Sequence, residues 1–134
     1  MTQLSPSGKV IYAYFDGDDV GPQLELRLLD NKIEEARAYS LAVSAALERV
    51  KELLEAAGIN DIIACGGDDL IASWLHGRIS IAMINEITAD FYRLSGRTMS
   101  VGIGRSTREA AQNLHRAKLM GKNQVICSSE VAEC

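Results

Sequence analysis

Two acidic, glycine-bearing turns at the ends of apolar strands constrain this chain more than any other feature. Lys9 to Phe15 (KVIYAYF) is rich in β-branched and aromatic residues and runs directly into Asp16-Gly17-Asp18-Asp19, as a buried strand ending in a turn does. Further along, Asp61 to Cys65 and Leu70 to Leu75 read as two short strands, and the Gly66-Gly67-Asp68-Asp69 between them is a tight hairpin turn. A hairpin makes its two strands neighbours. If the first strand lies beside them, Asp16, Asp68 and Asp69 converge at one edge of a sheet.

The intervening segments are helical. From Pro22 to Ala57 the spacing predicts a short helix to about Leu29 and then a long one. Val43, Leu47, Val50 and Leu54 fall on one stripe of the second helix, and Gly58 stops it. A helix from about Ile79 to Leu94 places Ile84, Ile87, Phe91 and Leu94 on its buried side, and a strand Thr98 to Ile103 follows. Ser106-Thr107-Arg108-Glu109 fits a capping box opening another helix that ends near Gly121. Gln124 to Cys127 makes the last short strand. The predicted order βααββαβαβ is that of an α+β chain with a mixed, mainly antiparallel sheet and helices packed on one face. Residues 1–134 are expected to form a single domain, without repeat, linker or low-complexity stretch.

Composition narrows the function classes. No apolar run approaches the roughly 18 to 20 residues that span a bilayer, and the N-terminus lacks a signal pattern. A cytoplasmic protein without membrane contact is therefore expected. Three cysteines, Cys65, Cys127 and Cys134, show neither metal-ligand spacing nor an even count, and reduced thiols are expected. The formal charge of −4 argues against a protein that wraps a nucleic-acid duplex, because such affinity comes largely from Lys and Arg. No Walker A loop and no GxSxG elbow is present. His76 and His115 have no carboxylate or nucleophile placed beside them by spacing.

The chemistry-bearing residues are the acidic turns. An isolated Asp-Gly turn is ordinary turn chemistry, but two of them, each ending a core strand, favour a site. Three converging carboxylates repel one another unless a cation lies between them. Mg²⁺ suits such a group, since it takes hard oxygen ligands together with waters and substrate phosphates, and Mn²⁺ is a plausible substitute. Gly17, Gly66 and Gly67 leave room for close approach of backbone and triphosphate. Lys118 and Lys122, four residues apart across the end of the last helix, either face a triphosphate or simply complement the helix dipole.

At these residues the chain resembles a known group. Asp16-Gly17-Asp18, Gly66-Gly67-Asp68-Asp69-Leu70 and Ala117-Lys118-Leu119-Met120-Gly121-Lys122-Asn123 occur in the order seen in GGDEF cyclases and CRISPR palm polymerases. The GGDD form looks most like the minimal CRISPR polymerase family. The resemblance implies a ferredoxin-like palm that condenses nucleoside triphosphates into cyclic dinucleotides or oligonucleotides used as signals in antiphage defence. It places Mg²⁺ on Asp16, Asp68 and Asp69 with the main-chain carbonyl of Gly17, and triphosphate on Lys118 and Lys122. Asp18 and Asp19 are given no role beyond shaping the turn.

No RxxD lies upstream of the glycines, so the product-inhibition site of many diguanylate cyclases is missing. ATP is the expected substrate by analogy with the CRISPR relatives. A diguanylate cyclase using GTP and a silent nucleotide-binding palm are the alternatives. Ring closure needs two facing nucleotides, so a homodimer is expected, with no nucleic-acid template and with a downstream effector that reads the product.

Overall fold

The computed structural model describes residues 9–129. Its elements are β1 (Val10–Gly17), α1 (Val20–Leu29), α2 (Ile33–Ala57), β2 (Asp61–Gly66), β3 (Asp69–Leu75), α3 (Ile81–Ser95), β4 (Met99–Gly104), α4 (Thr107–Leu119) and β5 (Val125–Cys127). The order is the expected one. One five-stranded sheet runs β2-β3-β1-β4-β5. Its pairs are antiparallel except β4 with β5, which is parallel. β1 is thus central, between β3 and β4.

Alternation along β1 creates two different faces. Ile11, Ala13 and Phe15 are fully buried in a core shared with Val43, Leu47, Val50 and Leu54 of α2 and with Ile84, Ile87 and Phe91 of α3. Tyr12, Tyr14 and Asp16 point the other way, opposite Gly104, Gly102 and Ser100 of β4. On this second face α4 lies against β4. A Cβ at Gly102 would sit 2.1 Å from the Ala110 carbonyl oxygen and 2.2 Å from the Leu114 nitrogen, so the glycine is what admits the helix. The palm therefore carries α2 and α3 on the expected face and α4 on the opposite one, an addition to the one-face arrangement read from the order of elements.

Three helices are closed by recognisable caps. Gly58 and Gly96 end α2 and α3 in left-handed conformations, which glycine adopts without cost. Ser106 caps α4 by accepting from Glu109 N, as the expected capping box requires. The Glu109 carboxylate reaches instead to Arg105 N at 2.9 Å. Two further expectations need correction. Leu94 is exposed rather than on the buried side of α3, because the next inward position of the helical stripe after Ile84, Ile87 and Phe91 falls on Ser95. Cys65 is a free, exposed thiol, but Cys127 is disulfide-bonded. Cys134 lies outside the described residues, and an odd cysteine count does not forbid one pair.

Candidate active site

The acidic residues meet where β1 ends. β1 extends through Gly17, so Asp16 is still in the sheet and pairs in register with Asp69. Between β2 and β3 the turn is only Gly67-Asp68. Gly67 has φ +62°, a left-handed value that a residue without Cβ takes readily. Gly17 N donates to the Asp68 carbonyl at 2.9 Å, which ties the turn to the end of β1. The result is that Asp16, Asp68 and Asp69 each offer a carboxylate oxygen, all within 4.8 Å of one another. Such a set of hard oxygens fits a divalent cation of the Mg²⁺ type.

Electrostatics agrees with the geometry. Burial raises the Asp16 carboxyl above the ordinary range; Lys118 opposes this, while Asp68 and Asp69 add to it. Burial likewise raises Asp68, with Asp69 contributing. Neighbouring Tyr14 donates from its hydroxyl to Asp69 Oδ2 at 3.4 Å. Its phenol is raised by burial and by the negative charges of Asp69, Asp16 and Asp68.

Lys118, on the last turn of α4, is the cation nearest this group. Its Nζ lies 2.9 Å from Asp16 Oδ2 and 2.7 Å from Asp18 Oδ1, and donates to the Gly17 carbonyl at 3.2 Å. Desolvation disfavours its charge, but Asp18 and Asp16 outweigh that and raise its pKa. Lys122 lies beyond α4 with φ +66°, and its Nζ pairs with Asp19. Arg97 reaches the same carboxylate at 3.7 Å. The two lysines therefore address different carboxylates rather than one shared face.

Asp18 was expected only to shape the turn, yet among the described residues it is the one charged member of the buried polar groups, 1% exposed beside the fully buried Ser100. Thr98, Ser100, Lys118 and Asn123 N all donate to its carboxylate. Thr98 and Ser100 alternate at the start of an otherwise apolar strand, and that period-two polar pair is the one signal from which the cluster was readable. Asp19 takes a left-handed φ of 56° and precedes α1 without capping it through its side chain.

Two cavities flank this region. One of about 240 Å³ is walled by Val20, Leu24, Tyr39 and Val43, with Ser40 and Ser44 as polar members and Gly67-Asp68 as its rim. It opens directly beside the acidic group. A larger cleft of about 460 Å³ borders Thr98 and Asn123 but none of the three carboxylates. Proximity to the carboxylates makes the smaller cavity the relevant one.

Residues 12–128 match the minimal CRISPR polymerase domain. The chain belongs to that family. No curated protein matches it. Among solved structures, a Csm1–Csm4 cassette in complex with cA4 superposes with a TM-score of 0.70 at 18% identity, covering 90% of this chain and 21% of that one. The chain thus spans about a fifth of that relative. A bacterial light-regulated adenylyl cyclase gives 0.65 at 13% identity, with 92% and 77% covered. The active GGEEF domain of a diguanylate cyclase from Vibrio cholerae gives 0.58 at 15% identity, with 88% and 81% covered. These likenesses establish the palm fold of nucleotide cyclases and polymerases. Among the described residues no helix is long and apolar enough to cross a membrane.

Proposed function

We propose that this palm is a divalent-cation-dependent nucleotidyl transferase that condenses ATP into a cyclic di- or oligoadenylate. The observation that carries the reading is the meeting of Asp16, Asp68 and Asp69 within 4.8 Å, with the Lys118 ammonium 2.9 Å from Asp16. Asp16, Asp68 and Asp69 would hold Mg²⁺, with the Gly17 carbonyl beside them. When bound there, the cation supplies neutralisation of phosphate charge and activation of a hydroxyl.

The remaining work belongs to the chain. Lys118 presents its ammonium to the triphosphate, and Lys122, paired with Asp19, would have to leave that carboxylate to reach the outer phosphates. Gly66 and Gly67 leave the approach open, since nothing lies within 4 Å of a Cβ built at either. Gly17 differs from the expectation, because a Cβ there would lie 2.8 Å from Val20 Cγ2 and 3.1 Å from the Phe91 ring, so its lack of a side chain serves packing rather than access. The cavity rimmed by Gly67 and Asp68 takes the base against Val20, Leu24 and Tyr39, with Ser40 and Ser44 as hydrogen-bonding partners. A ribose hydroxyl of one ATP attacks the α-phosphorus of a second. The new P–O bond forms as the bond to pyrophosphate breaks, and the hydroxyl proton passes to solvent. Catalysis is then largely positioning and charge stabilisation.

Adenine is favoured because the Csm1–Csm4 relatives were solved with pppApApA, cA3 and cA4. One acidic group serves one triphosphate, so ring closure assigns the site to the face between two copies of the chain. A role in antiphage signalling, a cytoplasmic location and an effector that reads the product follow from the family likeness. The test is incubation of the purified protein with each of the four NTPs and Mg²⁺, followed by mass analysis of the products. A cyclic adenylate is expected. A cyclic guanylate would replace ATP by GTP, as in the Vibrio cholerae relative, and NTPs bound but left intact would make the palm a nucleotide receptor.

A further inference from the structure

We infer that Asp18 is a positioning residue that holds the Lys118 ammonium at the mouth of the acidic site, so that Lys118 stays aimed at a triphosphate when Asp16 is engaged by a cation. The inference deepens the proposed function and rests on its reading of the site as a triphosphate site.

A carboxylate can accept only a limited number of hydrogen bonds. Two oxygens offer about four lone-pair positions. Asp18 Oδ1 accepts from Ser100 Oγ at 2.7 Å and Lys118 Nζ at 2.7 Å. Oδ2 accepts from Thr98 Oγ1 at 2.7 Å and Asn123 N at 3.0 Å. All four positions are filled, so Asp18 has nothing left for a metal, although it is two residues from Asp16. Its backbone is fixed as well: Asp18 N donates to the Thr98 carbonyl at 2.8 Å, and Arg97 Nε donates to the Asp18 carbonyl at 3.0 Å. One buried carboxylate therefore joins the end of β1, the start of β4, the end of α4 and the turn at Asn123.

Asp16 and Asp18 compete for the same ammonium but differ in freedom. Asp16 is one of the three carboxylates open to a cation, and a cation there takes up its charge. Asp18 is 1% exposed and oriented from three other directions, so its hold on Lys118 persists. A buried charged pair is costly to break, because the surviving charge is left uncompensated.

The test is a double-mutant cycle joined to a spectroscopic readout. Asp18→Asn keeps the shape but removes the charge, and its amide nitrogen must replace one of the two oxygens. Hydroxyls of Thr98 and Ser100 can turn to accept, whereas the Lys118 ammonium and Asn123 N–H cannot. In ¹⁵N-resolved spectra of the lysine ammonium groups, a slowly exchanging Lys118 signal is expected in the wild type and not in Asp18→Asn. In the kinetic arm, Asp18→Asn is expected to lower kcat/KM for the NTP at least tenfold, mainly through KM. In a Lys118→Ala background it should add less than twofold, since residues acting through one another are non-additive.

Ser100→Ala removes one orienting donor and should give a smaller loss that also vanishes in Lys118→Ala; it carries the test if Asp18→Asn does not fold. A persistent Lys118 signal in Asp18→Asn, or additive losses in the cycle, would overturn the inference. If the wild type turns over no NTP, the proposed function fails, and the Lys118 signal alone decides whether Asp18 positions it.

Discussion

Replacing Asp68 by Asn should stabilise the metal-free protein. Three carboxylate oxygens lie within 4.8 Å of one another. At that separation a pair of unit charges repels by about 0.9 kcal/mol in water and about 3.5 kcal/mol at an effective dielectric constant of about 20. Lys118, 2.9 Å from Asp16, offsets part of this, and Asp68 is half-exposed, so a net gain of about 1 kcal/mol is expected. For a chain of this length that is a rise in Tm of about 3 to 5 °C. The folded protein raises the carboxyls of Asp16 and Asp68, so the stability of their protonated forms is full below the ordinary carboxylate range. It is lost as pH rises through the raised folded values. The advantage of Asp68→Asn should therefore be greatest at neutral pH and shrink in acid.

The assay is thermal unfolding followed by fluorescence of Trp74, the single tryptophan, which is fully buried. In the wild type Mg²⁺ should raise Tm by mass action, and in Asp68→Asn that rise should largely disappear. The reasoning is refuted if the variant unfolds at a lower temperature than the wild type at pH 7 without metal, or if it keeps the full Mg²⁺ effect.

Other expectations follow from the same geometry. Lys118→Ala should lower kcat/KM for the NTP by about 10²-fold, the scale for removal of one preorganised charge contact, measured by initial rates of pyrophosphate release. Lowering the pH from 7 to 5.5 should weaken Mg²⁺ binding, because protons compete for the raised carboxyls of Asp16 and Asp68; calorimetric titration at the two pH values reads this. Gly102→Ala should cost about 3 kcal/mol in urea unfolding, the upper end for overpacking, since its Cβ would lie 2.1 Å from the Ala110 carbonyl.

Much of this was legible in the residues because local signals agreed with the tertiary result. The apolar run into Asp16 and the Gly66-Gly67-Asp68-Asp69 hairpin carry period and turn chemistry together, and the register of β1 with β3 brings Asp16 opposite Asp69. The stripe Val43, Leu47, Val50 and Leu54 is buried throughout.

Three things were not legible, each for a physical reason. The face taken by α4 depends on Gly102 and Gly104 of β4, which in sequence are simply weak strand residues. Lys118 and Lys122 are four residues apart, but α4 ends at Leu119 and the chain turns left-handed at Lys122. Helical spacing therefore does not relate them. Asp18 needed partners from 80, 82, 100 and 105 residues away; the alternating Thr98 and Ser100 signal a polar cluster near the start of β4, but nothing local assigns it to Asp18.

The most direct measurement is pyrophosphate release from ATP and Mg²⁺ by the wild type beside Asp68→Ala, with chelator added to a third sample. The account predicts release with a phosphodiester-linked adenylate from the wild type, and none from the variant or the chelated sample. Undiminished release by Asp68→Ala, or release that survives the chelator, would contradict it.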